Sequence, residues 1–121
     1  MKRIAFDMDG TLVGYEQGRE GFSASFRPQA LDWISQVREE GDTLILWTLA
    51  SREWYEEMAE LFPILREFDE IYTQDDYPYP VKDVRVYNID LLVDNDPGHR
   101  EWAEQHGLED RYLTVPTHGE I

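Results

Sequence analysis

The sequence predicts an α/β fold, a mostly parallel sheet with helices on both faces, and three observations carry that expectation. Short apolar runs alternate with stretches of helical period along the chain. Three of these runs, residues 4–6, 43–47 and 89–93, stop abruptly at a polar residue: Asp7, Thr48 and Asp94. In a parallel sheet the strands' carboxyl ends lie on one edge, where such folds bind ligands, so the three polar stops would share a rim.

At 121 residues the chain fits one domain, 1–121, with 41% hydrophobic and 13% aromatic residues, enough for a packed core. Its formal charge of −15 comes from 26 acidic residues against 11 basic ones and opposes non-specific binding to nucleic acid or an anionic membrane. With no cysteine, disulfides, thiol catalysis and zinc–thiolate sites are excluded. The start, Met1-Lys2-Arg3 and a few apolar residues before Asp7, is too short for a signal peptide, and no apolar run reaches membrane-spanning length. A cytoplasmic protein is the expectation.

The first strand runs through Ile4, Ala5 and Phe6 and breaks at Asp7-Met8-Asp9-Gly10. Strand side chains alternate, so Asp7 and Asp9 would share a side, and two like charges so close need a cation or a shared proton. Residues 14–26 hold three glycines and no helical period, which reads as a flap or short hairpin over that strand end. Arg27-Pro28 opens a helix whose apolar face is Ala30, Leu31, Ile34 and Val37, widened by Trp33, with Gly41 as the closing residue. Residues 43–47 form the next strand. Ser51 caps a helix over 52–62 with Trp54, Tyr55, Met58 and Leu61 at helical spacing, and Trp33, Trp54 and Trp102 are all assigned to the core. A weaker strand at 70–73 precedes an extended loop, Tyr77-Pro78-Tyr79-Pro80, that leads to Lys82. Residues 89–93 are another buried strand, Pro97 opens a helix to about His106, and 111–115 make a last short strand. His99, His106 and His118 have no metal-binding spacing and read as surface residues.

Taken together, Phe6-Asp7-Met8-Asp9-Gly10-Thr11, the strand ending in Thr48, a lysine, and Leu91-Leu92-Val93-Asp94-Asn95-Asp96 resemble, in order, the four motifs of the haloacid dehalogenase superfamily of phosphatases and phosphotransferases. Only Lys2 and Lys82 exist, and Lys2 stands at the wrong end of the first strand, so the site's lysine would be Lys82. Within the superfamily the chain is most similar to the small capless branch of C-terminal-domain phosphatases and NLI-interacting-factor-like proteins. Arg27-Pro28, Trp47-Thr48-Leu49-Ala50-Ser51 and Val93-Asp94-Asn95-Asp96-Pro97 carry that likeness, although Gly10 stands where the branch usually has Glu.

The resemblance implies a three-layer, Rossmann-like domain without a cap and a phosphomonoesterase acting through an aspartyl phosphate. Asp7 would be the nucleophile and Asp9 the general acid and base. Thr48 and Lys82 would hold phosphoryl oxygens. Mg²⁺ would be bound by Asp7, the Asp9 carbonyl, Asp94 and Asn95, with Asp96 either at the metal or merely capping the helix at Pro97. An open site suits a phosphorylated protein side chain or a compact phosphomonoester, or is covered by a second subunit. Two other classes fit parts of the pattern. A non-catalytic phosphate- or metal-binding module is disfavoured by the joint presence of Asp7, Asp9, Thr48, Lys82 and Asp94. A receiver domain is disfavoured by order, because Thr48 follows the second strand. A phosphatase for nucleic-acid ends would need a basic lip from Arg19, Arg27, Arg52 or Arg85 to offset the acidic surface.

Overall fold

The computed structural model describes residues 1–120. The chain runs β1 (Arg3–Phe6), β2 (Val13–Gly18), β3 (Gly21–Phe26), α1 (Pro28–Glu39), β4 (Thr43–Trp47), α2 (Arg52–Leu61), β5 (Glu70–Tyr72), β6 (Leu91–Asp94), α3 (Pro97–Glu104) and β7 (Tyr112–Thr114). Five strands form one sheet in the order β5-β4-β1-β6-β7, and every neighbouring pair is parallel. β2 and β3 are a separate antiparallel hairpin, with Val13 opposite Phe26 and Gly18 opposite Gly21.

Parallel strands need crossovers, and their order explains where a site can form. The chain leaves central β1 to build β4 and β5 on one side, then returns to build β6 and β7 on the other. Such a reversal opens a crevice at the strands' carboxyl ends. Register completes the alignment: Phe6 pairs with Leu46 on one side and Val93 on the other, so the residues that follow emerge together.

Burial follows the alternation of strand side chains. Ile4, Phe6, Leu44, Leu46 and Val93 face α1 and α2, whose Ala30, Ile34, Val37, Tyr55 and Met58 fill the space between. Ala5, Ile45, Trp47 and Leu92 face the opposite way and pack under α3 and the 73–90 segment through Ala103, Tyr77, Val84 and Ile89. Both faces of the sheet are thus covered, as near-continuous apolar strands require.

Helix boundaries follow the expected caps. Ser51 accepts a hydrogen bond from the Trp54 main chain at 3.1 Å and starts α2, and Asp96 accepts one from Gly98 at 2.8 Å and starts α3, with Pro97 in the first turn. Two boundaries and one burial assignment depart most from the sequence reading. The last sheet strand before α3 begins at Leu91, not 89, because Ile89 donates to Val84 in a turn and is buried as loop, not ladder. The helix after Pro97 ends at Glu104, where Leu108 donates back to Ala103 past a left-handed Gly107. Leu31, assigned to the apolar face of α1, is half exposed. Among the described residues no helix is long and apolar enough to cross a membrane.

Candidate active site

β1 delivers Asp7 to the rim, and the loop after it turns back at once: Leu12 and Val13 both donate to the Met8 carbonyl, and Gly10 donates to Val13. Met8 points into the core, which leaves its two neighbours, Asp7 and Asp9, on the other side of the chain. Gly10 has φ +82°, and a β-carbon there would lie on the Asn95 amide. Both facts favour glycine at this position.

The pocket at this rim is lined by Asp7, Asp9, Thr48, Lys82, Asp94 and Asn95, drawn from four separate stretches of chain, together with His99. At its base lies a buried charge trio. Lys82 Nζ donates to Asp7 Oδ1 at 2.8 Å and to Asp94 Oδ2 at 2.7 Å, and its side chain is only 1% exposed. Tyr112 Oη holds the Lys82 carbonyl at 2.6 Å, while the Lys82 N–H donates to His99 Nδ1 at 3.1 Å, so the lysine's backbone is fixed from two sides. One ammonium between two carboxylates leaves a net negative charge underground. Burial pushes Asp7 up from 3.8 to about 7, with Lys82 opposing the rise and Asp94 adding to it. Burial also works against the lysine's charge, but Asp7 and Asp94 outweigh it and hold its pKa above the ordinary value.

A second cluster sits beside the trio. The Asn95 amide group lies 2.9 Å from Asp7 Oδ2 and 3.0 Å from the Asp9 carbonyl oxygen. Turned one way, its nitrogen donates to both. Turned the other way, its oxygen faces these two acceptors and has the Thr11 hydroxyl within reach as a donor at 3.1 Å, while the amide nitrogen donates to Thr117 Oγ1 at 3.0 Å. A divalent cation among these oxygens would stabilise that second arrangement. Octahedral Mg²⁺ with oxygens at about 2.0–2.1 Å sets neighbouring oxygens roughly 2.9 Å apart, which matches this spacing. The donor set of one carboxylate, one amide and one main-chain carbonyl therefore fits Mg²⁺; the described residues hold no cluster of three His, Cys, Asp or Glu side chains placed for a metal. Asp94, expected beside Asn95 at the metal, is turned elsewhere: its Oδ2 meets Lys82 and its Oδ1 accepts from the Asp96 N–H at 2.9 Å. Asp96 itself caps α3.

Thr48 is buried where β4 ends, and its hydroxyl oxygen accepts from Ala50 N–H at 3.1 Å, which shapes the turn and leaves the O–H free to donate. Asp9 is held from the side. Tyr15 Oη, from β2, and Trp54 Nε1, from α2 at 3.1 Å, both donate to Asp9 Oδ1. Burial, then the neighbouring carboxylate, raises the Tyr15 pKa, so the phenol keeps its proton as donor.

Several of these partners differ from the sequence reading. Trp54, assigned to the core, is only partly buried and turns its N–H to the site. His99, assigned to the surface, is 4% exposed, and burial lowers its pKa. Its signal was its place four residues before buried Ala103 on α3. Arg27, a candidate for a basic lip, is instead buried and donates to the carbonyls of Gly10 and Pro116, tying α1 to the loop after Asp9. The tail assists, since His118 donates to the Gly10 carbonyl at 2.8 Å and Glu120 to the Tyr15 carbonyl at 2.9 Å.

No protein-family model matches the chain, and no curated protein matches it in sequence. Solved structures do. The fission yeast RNA polymerase II CTD phosphatase Fcp1 bound to beryllium fluoride superposes with a TM-score of 0.67 at 15% identity over 97% of this chain. A second structure of Fcp1, an essential RNA polymerase II CTD phosphatase, gives 0.68 at 14% over the same share. The chain spans 42% of the length of each, so the likeness is confined to one part of those proteins. The chain therefore has the haloacid-dehalogenase-like α/β fold found in these two phosphatase structures.

Proposed function

We propose that the chain is a Mg²⁺-dependent phosphomonoester hydrolase that works through an aspartyl phosphate on Asp7. The observation that carries this reading is the meeting of Asp7, Asp9, Thr48, Lys82 and Asn95 in one pocket at the strand ends. A phosphate ester resists attack because nucleophile and substrate are both anionic. Mg²⁺ held by Asp7, the Asp9 carbonyl and Asn95 would offset charge on the phosphoryl oxygens.

The protein groups supply the rest. The Asp7 carboxylate attacks phosphorus, the ester P–O bond breaks, and its electron pair stays on the leaving oxygen, which takes a proton from Asp9. Asp9 then accepts a proton from water as the water oxygen attacks the same phosphorus, and Asp7 leaves as a carboxylate. Lys82 has three N–H donors and uses two on Asp7 and Asp94, so the third is available to a phosphoryl oxygen. The Thr48 hydroxyl donates to another. Fixed donors aimed at accumulating charge are worth most where water is excluded, and Lys82 and Thr48 are each 1% exposed.

Substrate class follows from what surrounds the pocket. Of the four arginines that would make a basic lip, Arg27 is buried on backbone carbonyls, Arg52 is paired with Asp76 and Arg85 with Asp83, which leaves Arg19, exposed at the turn of the hairpin. With a net charge of −15, this favours a phosphorylated protein side chain or a compact phosphomonoester over an oligonucleotide end.

The test is hydrolysis of an aryl phosphate with and without chelator. Turnover is expected to fall at least about a hundredfold without metal and to return when Mg²⁺ is added back. Undiminished turnover in excess chelator would contradict the reading.

A further inference from the structure

Asp9 stands on a boundary. It lines the polar pocket with Asp7 and Lys82, and it also lines an apolar groove walled by Tyr15, Phe22, Trp54 and Met58. The two walls of that groove come from different elements, the hairpin and α2, yet Tyr15 Oη and Trp54 Nε1 reach the same oxygen, Asp9 Oδ1. Their rings lie 5.9 Å apart and support each other. The Ser51 cap holds the Trp54 backbone in the first turn of α2, and Glu120 holds the Tyr15 carbonyl, so neither donor hangs on a loose segment. Asp9 Oδ2, in contrast, receives no hydrogen bond from any described residue.

From this asymmetry we propose that Tyr15 and Trp54 are positioning residues for Asp9, confining its transferable proton to Oδ2 and aiming that oxygen at the ester oxygen of the substrate. The inference rests on the phosphatase reading above. A carboxylate oxygen has two lone pairs in the carboxyl plane, and Oδ1 spends both on the phenol and the indole. The proton that Asp9 gives to the leaving oxygen must then sit on Oδ2, and the proton recovered from water returns there. Without the clamp, the carboxyl rotates and the proton is shared between two oxygens, only one of which is in reach. The loss therefore falls on proton transfer, not on phosphate binding or on Asp7.

That prediction has a signature a general structural role would not produce. A good leaving group departs with little help from an acid, while a poor one needs the proton in the transition state. The experiment compares 4-nitrophenyl phosphate with an alkyl phosphate of similar size, at saturating Mg²⁺, for wild type, Tyr15→Phe, Trp54→Phe and the double variant. For the double variant, kcat/KM, which reports the steps up to departure of the leaving group and not hydrolysis of the aspartyl phosphate, is expected to fall roughly 10- to 100-fold on the alkyl phosphate. On the nitrophenyl ester it should fall less than about threefold. The ratio of the two rates is independent of how much variant protein is folded, so partial misfolding does not mimic the effect. In an Asp9→Asn background the same substitutions should leave the ratio unchanged.

An equal loss on both substrates, or no loss on either, overturns the positioning role while leaving the phosphatase reading intact. A wild type inert toward both substrates overturns the phosphatase reading and this inference with it.

Discussion

The Asp7→Asn variant is expected to lose turnover by roughly four orders of magnitude or more, the scale on which removal of a nucleophile acts, yet to melt no lower than wild type when both are free of metal. Asparagine keeps an oxygen for Lys82 but removes one of the two carboxylates that share its single charge. The pH dependence follows from the raised Asp7 pKa. A group that binds its proton more tightly folded than unfolded contributes stability in full below its unfolded value, here near 3.8, and that contribution is lost as pH rises through about 7. Metal-free wild type therefore bears the full burden of the buried charge at pH 8 and is largely relieved of it at pH 5. Thermal melts in chelator should show the variant gaining on wild type at pH 8, by an amount on the order of a few kcal/mol at most, with the gap closing toward pH 5. A variant that melts several degrees lower at pH 8 would contradict the charge trio as described.

Lys82→Met is expected to do the opposite. Methionine fills the stem's volume but leaves Asp7 and Asp94 facing each other below the surface, and breaking a buried pair by removing one partner costs about 3–5 kcal/mol. Lys82 itself, with a pKa raised above 10.5, contributes across the whole acid and neutral range and loses that contribution only in strong alkali. Any pH dependence between 5 and 8 in the variant thus belongs chiefly to Asp7, whose pKa rises further once the opposing lysine is gone. Urea unfolding should show the largest loss at pH 8 and a smaller one at pH 5, where a carboxyl takes up a proton. A loss of under about 1 kcal/mol at pH 8 would mean that Lys82 is not the counter-charge it looks to be.

Much of this is legible in the sequence, and the reason is the grammar of parallel sheets. Apolar runs that end at Asp7, Thr48 and Asp94 bring those residues to one rim once the strands lie parallel, whatever the connections. A flap or short hairpin over 14–26 followed from its glycines and lack of helical period, and the Ser51 cap and the burial of Ile34 and Tyr55 from capping chemistry and period. Residues with two chemical faces were not legible. Trp54 fits an apolar helical pattern by its ring, and that pattern says nothing of the N–H that reaches Asp9. Tyr15 falls in a stretch with no helical period, and its reach depends on how the hairpin folds over the strand end. His99 looks like any surface histidine until α3 is docked and its ring meets the Lys82 backbone. Ile89 shows the converse error, since an apolar residue next to a strand need not belong to it. The deciding contacts bridge 6 residues for Tyr15, 17 for His99 and 45 for Trp54, and each joins elements whose docking the local pattern does not record.

Asp7 as the phosphoryl acceptor is the claim on which the functional reading turns, and an acyl phosphate can be trapped because borohydride reduces it to an alcohol. Wild-type protein quenched during steady turnover of an aryl phosphate into borohydride, then digested and sequenced by mass spectrometry, should carry homoserine in place of Asp7, and only when substrate and Mg²⁺ were both present. An intact Asp7 in protein that was turning over, or reduction at a different carboxyl, would contradict it.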